Sequence, residues 1–355
     1  MAGGWEAAGK GPQIATVIMG AVAVVAALYF GRAVFEPLAF ALFIIALAAP
    51  MMSALQRHIG KGLALIATVA VVVAVILVFF AIVFWGVGQV AGWVIANVGR
   101  FEIVYREFMA NIDELGFPLD VLLPASLEPR WLLGPITAFL GQAQLMSGFV
   151  LLIFVFVVLG LTEMEGMGRR LVRIEQENPR IRILDVTRDV SGKFGLYMKV
   201  RLVISLIDAV VCYLFFRLIG LEEPLAWAIL VGTMNFIPFI GPLIVAVFIG
   251  MFAAAQFGTL WMVFVAVGGT TAINFVLGSY IEPLMAGSAL SMSAMLVLFS
   301  VFFWAIIWGI PGAFIGVQIM IVILAVCRVI PSVAWIADLF SGDGAETRQR
   351  DDAHN

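Results

Sequence analysis

The sequence predicts an all-α polytopic membrane protein with about eight transmembrane helices, and three observations carry that expectation. Of its 355 residues 63% are hydrophobic and only 12% charged, against about 45–50% and about 25% in soluble domains. Apolar runs recur at the ~20-residue length that a bilayer core demands of a helix. The sixth run is interrupted at Asn235–Pro242 by Pro238, Gly241 and Pro242, residues that do not continue an undistorted helix. In lipid, the backbone groups freed by such a break must find partners in protein or in a polar cavity.

Taken in order, residues 1–13 form a glycine-rich tail without a small-residue cleavage signal, so the first apolar run reads as a retained helix. Residues 14–88 hold three spans, about 14–30, 34–55 and 62–87. Gly31-Arg32 and Glu36-Pro37 are expected to mark a hairpin between the first two. Residues 89–144 are more polar. Phe101, Val104, Tyr105, Phe108, Ile112 and Leu115 recur at steps of about three and four, an amphipathic helix pattern. A second amphipathic helix is expected over 127–144. This segment either packs on its own bundle or a neighbouring subunit, or acts as an external gate. The fourth span occupies 145–165, and 166–201 is a basic connection. Residues 202–330 hold the core helices, about 202–221, 224–255 with the break, 260–281, and a last run over 292–329. That run carries Gly309, Pro311 and Gly312 as hinge candidates and is either one kinked helix or two half-helices. Residues 331–355 are a polar tail.

Lysine and arginine in the loops set the orientation. Arg57, Lys61, the 166–201 connection and Arg328 are basic, whereas 89–144 and Glu222-Glu223 are acidic. With eight spans the basic segments fall on one side. Both termini are therefore expected in the cytoplasm and residues 89–144 outside. Cys212 and Cys327 lie in apolar runs and read as small buried hydrophobes. The histidines His58 and His354 lie in a short loop and the tail, so no histidine metal site is expected, and no cofactor is expected either. The basic residues are not interleaved with aromatics on a soluble domain, so no nucleic-acid surface is expected. There is no phosphate-binding P-loop, no nucleophile–histidine pairing and no HExxH. The expectation is of a protein that is not an enzyme.

Met234-Asn235-Phe236-Ile237-Pro238-Phe239-Ile240-Gly241-Pro242 resembles the signature of the autoinducer-2 exporter family, the PerM-like permeases. Tyr280-Ile281-Glu282-Pro283 with Gly287, Gly309-Ile310-Pro311-Gly312-Ala313, and Ala49-Pro50 resemble that family's other motifs in the same order. Ala294 and Gln318 stand where the family commonly has prolines. The resemblance implies an inner-membrane transporter, with export of a small polar signal or sodium–proton exchange among the family's activities. It also implies a homo-oligomer, with a pentamer as one assembly it allows.

Secondary transporters place substrate sites at broken helices near the midplane. Asn235 is the amide at the break, able to hold a hydroxylated ligand or simply to cap freed backbone. Pro238, Gly241 and Pro242 shape the path. On the seventh span Thr271, Asn274, Gly278 and Glu282 fall within about 80° at 100° per residue, a polar stripe for the substrate path or for helix–helix hydrogen bonds. Glu282, expected at the outer end, is either hydrated or a proton or cation ligand. Asp208 lies roughly 10 Å up the fifth span from Arg201, where a charge costs about 2.5–3.5 kcal/mol on insertion scales. It is either a coupling carboxylate or the partner of a basic residue. Ser205 and Cys212 share its face. Arg201 is expected to snorkel, and Trp85, Trp93 and Trp304 to supply interfacial anchors. The leading function is export of a small polar solute. The alternatives are sodium(lithium)–proton antiport by Asp208 and Glu282, and a non-transporting scaffold acting through 89–144.

Overall fold

The computed structural model describes residues 10–114, 129–177, 183–286, 292–330 and 333–340, and every element within them is helical. Among the described residues six helices are long and apolar enough to cross a membrane, seven when the bent pair Gly148–Met164 and Gly166–Glu177 counts as one span. The expected class, an all-α polytopic membrane protein, is the one found.

The N-terminal helices are α1 (Lys10–Phe30), α2 (Arg32–Ile59), α3 (Lys61–Ala96), α4 (Val98–Glu114) and α5 (Pro129–Glu177). Gly31 alone separates α1 from α2. Its N–H donates to Ala27 O at 2.8 Å and its carbonyl accepts from Phe35 N–H at 3.1 Å. Helical bonding therefore runs through the junction, whereas reversing a chain between antiparallel helices takes a loop of about 2–5 residues. The hairpin expected at Gly31–Pro37 is a bend. The long α5 absorbs both the expected second amphipathic helix and the fourth span, and bends by 53° past Met164. The stretch between α4 and α5 lies outside the described residues. Ala41, Ala48 and Met52 of α2 pack on Ile153, Val157 and Leu161 of α5. Phe40 lies beside Phe149 and Ile45 beside Gly160, so these two helices run parallel.

The C-terminal helices follow: α6 (Ile183–Ile219), α7 (Pro224–Met234), α8 (Ile240–Phe257), α9 (Leu260–Val276), a π-helical turn (Leu277–Ile281), α10 (Glu282–Ala286), α11 (Ala294–Val329) and α12 (Ala334–Leu339). The break between α7 and α8 sits where the sequence puts it, but it reverses the chain. Gln256, at the end of α8, receives a hydrogen bond from Glu222 N–H at 2.9 Å and donates to Gly220 O at 2.8 Å, both beside the start of α7. Higher up the pair, Trp227 meets Phe252 edge to face at 5.2 Å. The two helices are therefore the legs of a re-entrant hairpin. The expectation that this segment crosses from outside to inside is corrected.

The last run is also two half-helices folded together. Gly309, at φ 69° and ψ −145°, makes the turn. Ser300 donates to Gly316 O at 2.6 Å across the legs, and Leu296 packs with Leu324. The legs, residues 294–308 and 311–329, return to one end, where Ser293 N–H donates to Phe340 O at 3.1 Å beyond α12.

The hairpins enter from opposite faces. The first opens on the face with Glu222 and Gln256, the second on the face where Arg201 of α6 meets Glu282 of α10. α9 therefore descends from the first face to the second, and Glu282 lies at the end opposite to the one expected. The tip of the first hairpin abuts the flank of the second. Phe236 stacks on Phe314 at 5.4 Å, and Ile237 packs with Val301, Ala313, Val317 and Ile321.

Candidate functional site

The site is built where the first hairpin's tip lies against α6 and the second hairpin. The tip is a tight piece of backbone. Ile237 N–H donates to Met234 O at 2.9 Å, Gly241 N–H to Ile237 O at 3.0 Å, and Ile240 N–H to Pro238 O at 2.7 Å. The last bond closes a γ-turn on Phe239, whose φ of 63° and ψ of −50° are strained for a residue with a side chain. Pro238 is the first residue of that turn, and Pro242 lies in the first turn of α8, where a missing N–H costs little. Gly241 is dictated by space: a Cβ there would stand 1.8 Å from Met234 O.

Asn235 closes α7 and is buried. Its Nδ2 donates to Ser205 Oγ at 3.5 Å, a long bond that leaves the amide weakly held. Gly232, one turn earlier, lets α7 approach: a Cβ there would lie 2.8 Å from Ser205 O. Beneath the tip, Tyr197, Arg201, Ser205 and Asp208 are all buried and share about 80° of α6. Asp208 is fully buried. Its Oδ1 accepts from Cys212 Sγ at 3.4 Å, and its Oδ2 has no hydrogen-bonding partner among the described residues. No ion pair reaches Asp208 among those residues.

Arg201 does not snorkel. Its Nη1 donates to Oε1 and Oε2 of Glu282, each at 3.0 Å, with side-chain exposures of 4% and 19%. The π-helical turn explains why Glu282 arrives there. Glu282 N–H donates to Leu277 O, five residues back, so the register of about 100° per residue behind the expected stripe fails beyond Asn274. The stripe is dispersed. Asn274 Nδ2 donates to Thr270 O of its own helix at 3.0 Å, while Thr271 and Gly278 are exposed. The buried hydroxyl is Thr270, donating to Ala266 O at 2.8 Å.

In the second hairpin, Gly309 forms the turn and Pro311 opens the returning leg. Gly312 is forced by contact, since a Cβ would lie 2.0 Å from Trp304 O. Trp308 Nε1 donates to Leu28 O at 3.0 Å, tying this turn to α1. Trp93 and Trp304 are buried rather than interfacial, and Trp93 Nε1 donates to Glu222 Oε2. Sequence reasoning missed the Arg201–Glu282 pair, because it rests on the direction of α9. It also treated Gln318 only as a departure from a motif. That residue is buried, its amide has no partner among the described residues, and the available signal is that it is the one polar side chain in an apolar stretch from Ile310 to Cys327.

A family model described as "AI-2E family transporter" matches residues 18–332. A Borreliella burgdorferi protein named as a candidate transport protein is 26% identical over 188 residues, 53% of this chain and 51% of that one, so the alignment spans about half of that relative. YhhT of Escherichia coli K12, named in the same way, is 26% identical over 281 residues, 74% of this chain and 75% of its own. The AI-2 transport protein TqsA of Escherichia coli K12 is 20% identical over 319 residues, 88% of this chain and 91% of its own.

Proposed function

The chain belongs to the AI-2E transporter family, and on that premise we propose that it is a secondary transporter of the bacterial inner membrane that exports a small polar metabolite or signal, such as autoinducer-2. One observation carries the reading. A re-entrant hairpin delivers a weakly held buried amide, Asn235, to a strip of α6 that bears Ser205 and the dry carboxyl of Asp208. Polar groups at that depth mark solute and ion paths in membrane proteins. Irregular backbone is tolerated there only where protein or a cavity covers it. In this proposal Asn235 binds cargo, Pro238, Gly241 and Pro242 fix the tip that presents it, and alternating access comes from movement of the hairpin-bearing helices around the site. Asn274 of α9 bonds back to its own helix and Thr271 and Gly278 are exposed, so the proposed path does not run along that stripe.

The test is flux of autoinducer-2 from proteoliposomes holding the full-length protein. Asn235→Leu is expected to lower the rate about tenfold, the loss of one or two hydrogen bonds, with the protein still folded. An unchanged rate sinks the assignment. A second reading, sodium(lithium)–proton exchange, draws on the unpartnered Oδ2 of Asp208. Glu282 is engaged by Arg201, so Asp208 is the carboxylate available for coupling. Proton movement driven by a sodium gradient without autoinducer-2, and lost in Asp208→Asn, would favour exchange. A protein that moves neither, yet captures a partner through residues 89–144, would be a scaffold.

A further inference from the structure

Gln318 lies on the leg of the second hairpin that runs from Pro311 to Val329 and is 3% exposed, and neither its Nε2 nor its Oε1 meets a hydrogen-bonding partner among the described residues. Burying an amide with both ends unpaired is unfavourable, and water to amide exchange returns nothing for it. Its place explains the expense. At about 100° per residue, Phe314, Val317, Gln318 and Ile321 share an arc of about 100°. On that arc Phe314 stacks on Phe236 at 5.4 Å, and Val317 and Ile321 pack with Ile237. Phe236 and Ile237 follow Asn235 directly, so Gln318 shares an arc of its helix with residues that meet the first hairpin's tip. At 3% exposure the amide is shut off from solvent, and among the described residues no partner accounts for it.

We propose that Gln318 is a specificity-determining residue of the solute path, the second hairpin's counterpart to Asn235. Its amide offers a donor and an acceptor to a hydroxyl or carbonyl group of a solute held between the hairpin tip and this flank. The proposal rests on the transport reading above. An amide without a protein partner is a burden to the empty protein and an asset to the loaded one.

The experiment compares wild type with Gln318→Met, which keeps length and removes both polar ends. Gln318→Leu serves if the methionine variant fails to fold. The expected result is a higher Tm for the detergent-purified full-length protein together with about tenfold slower autoinducer-2 flux. The Gln318→Met and Asn235→Leu effects on flux are expected to be non-additive, as for two contacts to one ligand. A lowered Tm means that the amide has a structural partner and overturns the proposal whether or not there is flux. An unchanged flux with a raised Tm also overturns it. A wild-type protein that moves no autoinducer-2 refutes the choice of cargo, and the proposal is then decided by the Tm of Gln318→Met, which supports it by rising and overturns it by falling or staying unchanged.

Discussion

Arg201 and Glu282 differ in how each would tolerate the loss of its partner. Arg201 is almost wholly enclosed, whereas Glu282 keeps 19% of its side-chain surface. Breaking a buried ion pair by removing one member costs about 3–5 kcal/mol, because the other charge is left dry. Glu282→Ala is therefore expected to lower stability by that amount in thermal unfolding. Arg201→Ala should cost less, since water reaches the stranded carboxylate. The double variant Arg201→Met with Glu282→Met should be milder than Glu282→Ala, and a result in the opposite order would show that the pair is hydrated. Phe239 offers a test of opposite sign. The residue is 56% exposed and its backbone is held at positive φ. Phe239→Gly removes that strain, worth about 1–3 kcal/mol, and is expected to raise the Tm. A fall would mean that the ring contributes more than the backbone costs.

At the scale of elements, each hairpin depends on a glycine that admits the other leg. The backbone oxygens of Met234 and Trp304 stand within 2.0 Å of where a Cβ on Gly241 or Gly312 would be. Backbone atoms cannot rotate away as a side chain can. Gly241→Ala and Gly312→Ala are each expected to cost at least about 1–3 kcal/mol, read as a lower Tm, and to slow flux. Gly268→Ala, where nothing lies within 4 Å, is the control and should do neither. The open end of the first hairpin is tied by Gln256 to Gly220 and Glu222, and by Glu222 to Trp93 of α3. These ties fix the direction in which α8 leaves the break.

For the whole molecule, the two hairpins change the count of crossings without disturbing the charge pattern. α2 and α5 end on one face, α6 begins there, and the second hairpin returns there with Arg328. Exchanging two crossings for two re-entrant pairs leaves every basic segment on the same side. Cysteines placed at Glu223 and Thr259 in the full chain should react with an impermeant thiol reagent from the same face, and one at Met285 from the other. Labelling of Glu223 and Thr259 from opposite faces would restore a crossing sixth span. We also propose, from the family resemblance, that the chain assembles with copies of itself. Native mass spectrometry of detergent-solubilised protein should show a single closed oligomer, and a monomer throughout would refute it.

The membrane class, the polar and apolar stretches and the place of the central break were all legible in the sequence. Each depends on local composition: enough apolar residues to span, basic loops on one side, and prolines that stop a helix. What only the tertiary structure decided is the direction of the chain after each break. Pro238 and Gly241 end a helix whether the next one continues or returns, and the choice is made by Gln256 bonding beside Glu222 and by Trp227 meeting Phe252, more than twenty residues away in sequence. Charge bias could not reveal it, because positive-inside asymmetry reports only whether the number of crossings between basic loops is even. Glu282 shows the consequence. One fewer crossing before α9, and one π-helical turn within the same span, moved it from an expected outer rim to a buried pair with Arg201.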